Sequence, residues 1–418
     1  MRYDVAIIGG GAAGLCAAIR IKQLKRNASV VLLEQLSRVG KKLITTGNGR
    51  CNITNADITL ERYHGEAVAF AEKALKRFPN TAAEEFFCGI GINFVYDEVG
   101  RAYPYSLQAS SVVDMLRFAA DEAGVVTLTD TKVTDIKAKK NGFMLECDEQ
   151  SVECLTVLVA SGLYSGGDKL GSDGSVLRIM RDKLGYRTVK TTPAIVQLKT
   201  APEAVRSLKG IKVNATVSLE ADSKVIRKDR GEVLFCDYGL SGPPIMQLSR
   251  AVERDNRKFT VCLDLMPEYN FERLCDLLQA RINALKARTL EDFFTGLLNK
   301  RVGQYILKSC SFALSDSVGL LSGKEKMLTA AIKQMRFDIK GTTGFINSQV
   351  TAGGLDTAQF YDDTMMSRKH RGLFAAGEIL DIDGDCGGFN LQWAWSSALT
   401  AADGICRLLK ENHTFSEK

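Results

Sequence analysis

A glycine-rich turn near the start of the chain has the residue types and spacing of a dinucleotide-binding site. Residues 3–8 are an apolar, β-branched run that predicts a buried parallel strand, and a helical pattern follows at residues 15–24. Between them, Gly9 permits a tight turn, Gly11 lets a pyrophosphate approach the backbone, and Gly14 lets the helix pack close to the strand. The N–H groups at the helix start would bind the phosphates.

An acidic residue stands where such a site needs one. Residues 29–33 predict a second strand that ends at Glu34, twenty residues after Gly14. A carboxylate at this point accepts hydrogen bonds from ribose hydroxyls and repels a 2′-phosphate. The motif indicates a dinucleotide but does not by itself distinguish NAD from FAD.

A second glycine-rich turn near the C-terminus predicts the flavin end of the same site. Residues 373–378 form a short apolar run that ends in Gly377 and Glu378, and a glycine-rich stretch then leads into a helical pattern at 391–409. Glu378 could bind a ribityl hydroxyl or, through water, the pyrophosphate. N–H groups at the helix start can stabilise negative charge on a reduced flavin. This pairing of turns favours FAD.

A third segment supports the same interpretation. Residues 131–138 and 142–147 predict a β-hairpin, and residues 155–160 predict an apolar strand that runs into Ser161 and Gly162. Two-dinucleotide flavoproteins have a small β-meander before a strand with an ending of this kind.

The composition is that of an ordinary globular protein. Of the 418 residues, 45% are apolar and 25% are charged, and the net charge of +6 is a mild bias without a dense basic block. Eleven scattered cysteines without a Cys-x-x-Cys pair, and only three histidines, argue against a disulfide framework and a metal site. We therefore expect no metal, a cytoplasmic location and, because no apolar run reaches ~18 residues, no membrane span.

Nearly from end to end, the chain resembles the BaiN-like flavoproteins, the aminoacetone-oxidase-family NAD(P)/FAD-dependent oxidoreductases. The matching segments include IIGGGAAGL at 7–15, GKKLITTGNGRCNITN at 40–55 and GRAYPYSLQASSVVDML at 100–116. Others are GEVLFCDYGLSGPPIMQLSR at 231–250, VTAGGLDTAQF at 350–360 and the segment 364–398. The stretches GNGRCN and AGEILDIDGDCGGFNLQWAW are specific to this family.

The resemblance implies an α/β fold with a Rossmann-like, two-dinucleotide-type FAD-binding domain, an inserted β-barrel-like domain and a small helical domain. The FAD-binding domain would take residues 1–190 and 345–418, the barrel-like domain 191–265 with a return strand at 336–344, and the helical domain 266–335. Strand-like runs agree with this, at 194–198, 213–219, 233–235, 259–263, 337–339 and 344–350. Residues 291–308 predict an amphipathic helix.

The resemblance also implies FAD as the cofactor and a set of residues around it. The expected contacts are Gly9, Gly11, Ala12, Ala13, Gly14, Glu34, Gln35, Lys42, Thr46, Gly47, Asn48, Gly49, Arg50, Cys51, Asn52, Val133, Ser161, Gly162, Gly377, Glu378, Gly388, Phe389, Asn390, Leu391 and Gln392. Residues 161–167 depart from the family pattern, whereas the loop at 171–175 keeps the family's Gly-Ser-x-Gly-x spacing, with Asp173 where threonine is usual. We expect this loop to face the flavin or the substrate.

The sequence offers only weak candidates for catalysis. Arg50 could stabilise an anionic reduced flavin or a substrate carboxylate, or form an ordinary ion pair. Tyr103 or Tyr164 could donate a proton, although such tyrosines more often serve in packing. Cys51 has no partner at Cys-x-x-Cys spacing and is interpreted as a structural thiol.

The favoured function is a reductase that passes hydride from NADH or NADPH through FAD to an unsaturated, carbonyl-conjugated small molecule. The nicotinamide donor would bind transiently, because no second G-x-G-x-x-G follows a predicted strand. Two alternatives stay open: a flavin oxidase or dehydrogenase of a small amine or alcohol that uses O₂, and a non-redox or RNA-modifying flavoprotein. The expected partner is a small-molecule substrate, with no nucleic acid and no membrane, and the oligomeric state is open.

Overall fold

The chain folds into two compact units. A computed structural model describes residues 2–253 and 257–416. Residues 1–193 and 345–418 belong to the first unit, and residues 194–344 form the second. Each unit encloses its own apolar core.

Twelve helices and twenty strands are present in the described residues. The helices are α1 (Ala12–Leu24), α2 (Lys41–Thr45), α3 (Glu72–Arg77), α4 (Asn80–Gly89), α5 (Ala109–Glu122), α6 (Ser175–Asp182), α7 (Pro202–Val205), α8 (Pro243–Leu248), α9 (Phe271–Leu285), α10 (Lys300–Ser309), α11 (Glu325–Lys333) and α12 (Phe389–Ser416). The strands are β1 (Arg2–Ile8), β2 (Val30–Leu33), β3 (Thr54–Asn55), β4 (Tyr63–His64), β5 (Phe94–Tyr96), β6 (Arg101–Pro104), β7 (Val126–Leu128), β8 (Val133–Lys139), β9 (Gly142–Cys147), β10 (Ser151–Val159), β11 (Thr188–Ala194), β12 (Leu198–Thr200), β13 (Lys212–Ala221), β14 (Lys224–Phe235), β15 (Gly239–Ser241), β16 (Phe259–Asp264), β17 (Met335–Thr342), β18 (Val350–Leu355), β19 (Leu373–Ala375) and β20 (Asp383–Gly384). Over this part of the chain, none of the helices combines the length and apolar character needed to cross a bilayer.

The first unit is built on a seven-stranded sheet in the order β7-β2-β1-β10-β9-β8, with β19 beside β10. Strands β7, β2, β1, β10 and β19 pair in parallel, and β10, β9 and β8 form an antiparallel meander. All four residues of β2 are buried, as expected for a parallel strand covered on both faces. The carboxyl ends of β1, β2, β10 and β19 meet at one edge, which is where ligands bind in such sheets.

Helix α1 lies unusually close to this sheet because small residues form the face that packs on it. Cys16, Ala17 and Ala18 are fully buried. A Cβ atom on Gly14 would lie 1.9 Å from the carbonyl oxygen of Gly9. Only glycine at position 14 therefore lets the helix start beside the end of β1.

The second unit is a closed six-stranded barrel with attached helices. Its strand order is β12-β15-β14-β13-β16-β17, and β17 pairs with β12. Strand β13 alternates, with Ala215, Val217 and Leu219 buried and the residues between them partly exposed, so one face of the strand fills the barrel. Helices α9, α10 and α11 each bury one apolar face in the same core.

Three of the predicted elements are wrong. The strand predicted at 194–198 is a break between β11 and β12, where Ile195 has a left-handed backbone with φ of +49°. The helix predicted at 291–308 consists of a 3-10 turn and the shorter α10, because Gly296, with φ of +82°, lies in the loop between them. The strand predicted at 344–350 is a 3-10 turn that ends before β18 begins.

Replacing Gly14 with alanine is expected to lower the free energy of unfolding of the first unit by about 2–3 kcal/mol, because the added methyl group overlaps the Gly9 carbonyl. Both tryptophans, Trp393 and Trp395, lie in this unit. Urea unfolding of the apoprotein, monitored by tryptophan fluorescence, therefore measures the stability of the first unit.

The matched control is Gly89→Ala. Gly89 also lies in a helix, but no atom lies within 4 Å of its Cβ position. This variant should be as stable as the parent protein or slightly more stable, since alanine has the higher helix propensity. Equal unfolding midpoints for the two variants would contradict the packing argument.

Candidate active site

The turn from β1 into α1 opens onto a cleft at the edge of the sheet. Gly9 has φ of +106°, and a Cβ atom there would lie 2.6 Å from the carbonyl oxygen of Ala160. Gly11, directly before α1, has no atom within 4 Å of its Cβ position, so this side of the turn faces open space. The N–H groups of Ala12 and Ala13 lie in the first helical turn, where backbone donors have no partner within the helix. The turn is therefore a cradle for phosphate.

The cleft continues along the strand ends to Glu34. Six of the predicted FAD contacts line it, namely Gly9, Glu34, Gln35, Val133, Ser161 and Gly162. The other lining residues are Ile8, Leu33, Thr131, Lys132, Gly171, Asp173, Gly174, Ser175 and Val176. The position of this cleft, between the phosphate cradle and the acid after β2, is that of the adenosine half of a dinucleotide.

The backbone holds the carboxylate of Glu34 in place. Its Oε2 accepts a hydrogen bond from the N–H of Gly10, and its Oε1 accepts one from the N–H of Leu36, both at 2.9 Å. Burial raises the pKa of Glu34, and these two N–H donors oppose the rise. Each carboxylate oxygen has a second lone pair, so Glu34 can still accept hydrogen bonds from ribose hydroxyls.

Residues of the loop at 171–175 line the cleft beside Glu34, at the end expected to hold the adenosine. The carboxylate of Asp173 accepts hydrogen bonds from the ammonium of Lys132 at 2.8 Å and from the N–H of Ser175 at 2.9 Å. The side chain of Gln35 donates to the carbonyl of Gly171 at 2.8 Å. Sequence reasoning missed Lys132 and Asp173 as cleft residues; the adjacency of Lys132 to the predicted Val133 was the available signal.

Glu378 links three segments of the first unit. Its Oε2 forms an ion pair with Lys42 of α2. Its Oε1 accepts hydrogen bonds from the hydroxyl of Ser165 at 2.7 Å and from the N–H of Thr351 in β18 at 3.1 Å. Lys42 also donates to Ser165. Glu378 and Lys42, both predicted to contact FAD, thus form a cross-link with Ser165, which sequence reasoning missed.

The predicted contacts at 46–51 form a tight left-handed turn. Gly47, Asn48 and Gly49 have φ values of +58°, +55° and +80°, and Cys51 has φ of +60°. Positive φ is strained for residues other than glycine, and such strain clusters at functional sites. Burial raises the pKa of the Cys51 thiol to about 12, which agrees with a structural role. The exposed guanidinium of Arg50 lies beside this turn.

Of the three catalytic candidates, the structure brings two together. The guanidinium of Arg50 lies 4.7 Å from the ring centroid of Tyr103, and that ring lies 3.5 Å from the Cβ position of Gly47. The ring of Tyr164 instead packs on Gly174 of the cleft and on Phe345, whose ring centroid is 5.2 Å away.

Residues from the two ends of the chain are joined next to this turn. A Cβ atom on Gly388 would lie 2.4 Å from the carbonyl oxygen of Thr54 and 2.9 Å from Oδ1 of Asn52. The side chain of Asn55 donates to the carbonyl of Gly387 at 2.8 Å. Within the described residues, Oδ1 of Asn52 is buried and has no hydrogen-bond partner. A buried acceptor of this kind is costly unless a ligand supplies a donor.

The start of α12 carries the remaining predicted contacts. The N–H groups of Phe389, Asn390 and Leu391 occupy its first turn and point out of the helix. The side chain of Asn390 instead donates to and accepts from the backbone of Gly384, each at 2.8 Å. Gln392 is fully buried and holds together Thr54, Phe78 and Ser396. Its side chain therefore braces the site and does not reach the cleft.

Both tryptophans are packing residues. Trp393 donates to the carbonyl of Gly377 at 3.1 Å and Trp395 to the carbonyl of Ile53 at 2.9 Å, and both rings are almost fully buried. The Cβ position of Gly377 lies 3.1 Å from Cβ of Ala13. Helix α12 is thereby fixed both to the turn after β19 and to the start of α1.

These features fit FAD. A phosphate cradle at Gly11, an acid at Glu34 and a second helix start at Phe389 correspond to the pyrophosphate, the ribose and the flavin of the cofactor. The open space at Gly11 and the unpartnered oxygen of Asn52 in the described residues are the two observations that fit a bound cofactor. Flavin has ring N–H groups that can donate to an amide oxygen.

Replacing Asn52 with leucine is expected to move two quantities in opposite directions. The apoprotein should keep its free energy of unfolding or gain about 1 kcal/mol, because a buried acceptor without a partner is removed. The dissociation constant for FAD should rise about tenfold or more, because the acceptor is also lost to the cofactor. Urea unfolding by tryptophan fluorescence and a titration of apoprotein with FAD measure the two effects.

The matched control is Asn55→Leu. Asn55 is equally buried, but its amide is fully engaged with Gly387 and with the N–H of Asp57 at 2.9 Å. This variant should lose stability as an apoprotein. If Asn52→Leu also loses stability, the oxygen of Asn52 is not an unsatisfied acceptor in solution.

Comparisons with known proteins show the family to which the chain belongs. Residues 3–404 match the model of the family described as the HI0933-like protein Rossmann domain. The chain is 34% identical over 401 residues to the 3-dehydro-bile acid delta(4,6)-reductase of Clostridium scindens, which covers 95% of this chain and 97% of that protein. It is 28% identical over 407 residues to the ribosomal RNA dihydrouridine synthase of Haemophilus influenzae, across 96% of this chain and 98% of that protein.

A solved structure shows the same fold. The 3-ketosteroid-delta4-(5alpha)-dehydrogenase from Rhodococcus jostii RHA1 superposes with a TM-score of 0.50 at 16% identity, over 97% of each chain. The predicted fold class is confirmed: a Rossmann-type FAD-binding fold with an inserted barrel and helices. The chain belongs to the HI0933-like Rossmann family and is an FAD-dependent oxidoreductase of the BaiN-like kind.

Proposed function

We propose that this enzyme reduces a carbon–carbon double bond conjugated to a carbonyl group, with NADH or NADPH as the source of hydride. The observation that carries the proposal is the similarity, over 95% or more of the chain, to two relatives whose named reactions share that bond type. In a 3-dehydro-bile acid, delta(4,6) double bonds are conjugated to the 3-oxo group. In uridine, the double bond that is absent from dihydrouridine is conjugated to a ring carbonyl.

Bound FAD supplies the two-electron redox chemistry. The chain supplies binding and orientation: the start of α1 and Glu34 hold the pyrophosphate and the adenosine ribose, and the start of α12 and Asn52 hold the flavin. Arg50, exposed beside the turn at 46–51, offers a cation to an anionic group of the substrate or to the reduced flavin.

We propose that the nicotinamide donor visits the flavin transiently. The sequence has a single G-x-G-x-x-G between a strand and a helix, and the structure uses it at the β1–α1 turn. A second dinucleotide-binding motif of this type is absent from the sequence. In this proposal the donor leaves before the acceptor binds, as in a ping-pong reaction.

We propose a small molecule as the acceptor, in the cytoplasm, without a nucleic acid or a membrane as partner. The net charge of +6 comes from 55 basic and 49 acidic residues, and no dense basic block is present in the sequence. The higher identity to the bile-acid reductase, 34% against 28%, points the same way. RNA is nevertheless included as an acceptor in the test.

The experiment begins with the absorbance spectrum of the purified protein. Bound flavin absorbs near ~450 nm, and these bands should bleach when NADH or NADPH is added without oxygen. They should return when a 4-en-3-oxo steroid or cyclohexenone is then added. A Gly11→Val variant is the matched control: no protein atom lies within 4 Å of the Cβ position of Gly11, so the added side chain should occupy the phosphate cradle, and the variant should fold but purify without flavin.

Other results point elsewhere. Reoxidation by unmodified ribosomal RNA, but not by enones, would replace the small-molecule acceptor with RNA. A flavin that resists both nicotinamides, yet bleaches with a small amine or alcohol and releases peroxide in air, would establish the oxidase. If the purified protein shows no flavin bands, and none appear when FAD is added, the assignment of FAD as the cofactor is refuted.

A further inference from the structure

We infer that His64, held by the buried carboxylate of Asp385, is the proton donor in the reduction. This inference rests on the proposed function, because the reduction of a conjugated double bond needs a proton beside the hydride. Sequence reasoning did not single out either residue.

The segment that carries His64 is clamped to the stretch before α12. Strand β4 pairs with β20, and the N–H of Asp385 donates to the carbonyl of Arg62 at 2.8 Å. At the other end, the N–H of Glu66 donates to Oδ2 of Asp381 at 2.8 Å. Backbone contacts on both sides of His64 thus fix its position.

The imidazole and the carboxylate form a dyad. Nε2 of His64 lies 2.7 Å from Oδ1 of Asp385, whose side chain is 5% exposed, whereas the histidine side chain is 22% exposed. Nδ1 of His64 makes no hydrogen bond to any described residue. A carboxylate on one ring nitrogen fixes the orientation of the ring and leaves the other nitrogen to exchange a proton.

The dyad adjoins the helix start that holds the flavin in the proposed function. The hydroxyl of Tyr63 donates to the carbonyl of Phe389 at 3.2 Å. The guanidinium of Arg62 lies 5.6 Å from the centroid of the Phe389 ring. Phe389 is the first residue of α12, so the two residues that precede His64 both contact that helix start.

The other candidate acids are less suited. Burial raises the pKa of Tyr103, although Arg101 and Arg50 oppose it, and this makes the phenol a weaker acid. Nδ1 of His370 lies 3.0 Å from the hydroxyl of Tyr186, away from the site, and burial lowers its pKa. Imidazole is the side chain that ordinarily exchanges protons near neutral pH, where a general acid works best.

The transfer balances in atoms and charge. The carbon β to the carbonyl receives the hydride that the reduced cofactor supplies, and the carbon α to it receives the proton. The N–H bond at Nδ1 of the His64 imidazolium breaks, a C–H bond forms, and the imidazole is left neutral. Water, which reaches the partly exposed ring, returns the proton.

Several charged residues lie on the two segments around His64. Asp385 accepts from it, Asp383 lies opposite it in the strand pair, and Nη1 of Arg62 lies 3.7 Å from Oδ2 of Asp385. Arg62 is itself paired with Asp57 at 2.5 Å. Asp381 and Glu66 complete the surroundings.

The test separates the two half-reactions in the FAD-loaded protein. Reduced His64→Gln protein is mixed without oxygen with a 4-en-3-oxo steroid, between about pH 5 and about pH 9. Flavin reoxidation should slow by roughly 100-fold and lose the pH dependence of the parent protein, because the general acid is gone. Reduction by the nicotinamide and the flavin spectrum should stay unchanged. His370→Gln is the matched control and should behave like the parent protein in both half-reactions.

A second readout does not depend on turnover. The proton NMR signals of the imidazoles are few, because the chain has three histidines, and the signal of His64 is the one that His64→Gln removes. In Asp385→Asn its titration should shift, and the pH profile of reoxidation should shift with it. If Asp385 only braces the segment, the imidazole titration and the pH profile of reoxidation in Asp385→Asn should both match those of the parent protein.

The outcomes are distinct. If His64→Gln reoxidises at the parental rate with the parental pH profile, the inference is wrong and the proposed function stands. If the parent protein is not reoxidised by any conjugated acceptor, the proposed function fails and the inference fails with it. If His64→Gln loses its flavin bands, His64 serves the cofactor site and the assignment as proton donor is overturned.

Discussion

The candidate site depends on the contact of three backbone segments at the edge of the first sheet. The end of β1 touches the end of β10 at Gly9, and the first turn of α1 touches the end of β1 at Gly14. Side chains at these two positions would force the segments apart. Because they are absent, the N–H groups of the helix start project over the strand ends, where a phosphate can reach them. The carboxylate of Glu34 bonds to Gly10 in the same turn, so packing and binding share one geometry.

Buried and partly buried carboxylates hold the rest of the frame together. A carboxylate without partners in a protein interior is strongly unfavourable. Glu34 is bonded to backbone N–H groups, Glu378 to Lys42 and Ser165, and Asp385 to His64. Each bond links segments that are distant in sequence, so breaking one would leave a buried charge uncompensated. The acids thus serve first to hold the site rigid, which positioning of a cofactor and its acceptor requires.

The sequence predicted the parts of this frame that follow from local chemistry. Local patterns were enough to predict the strand, glycine turn and helix at residues 3–24 and the glycine-rich turn before residue 391. The structure confirms both, with β1 and β19 in the same sheet. Side-chain pairs between distant segments, such as Lys42 with Glu378 and Asn55 with Gly387, leave no local signal. The same holds for the loop at 171–175, whose polar residues fit either end of a dinucleotide. The apolar periodicity at 291–308 also predicted too long a helix, because such a pattern does not show that a glycine within it has a left-handed backbone.

The start of α12 shows how one helix end can serve two kinds of chemistry. Its backbone N–H groups carry a partial positive charge, which favours an anionic flavin and also favours nearby carboxylates. These demands would compete if the helix alone had to offset the burial of Asp385. His64 at 2.7 Å and Arg62 at 3.7 Å instead bring donors to that carboxylate from outside the helix. The segment at 52–55, with the oxygen of Asn52, contacts the same helix start independently of them. His64 and Arg62 thus hold Asp385, whereas the segment at 52–55 carries contacts expected for the cofactor. A substitution in one of these segments can therefore be made without removing the contacts of the other.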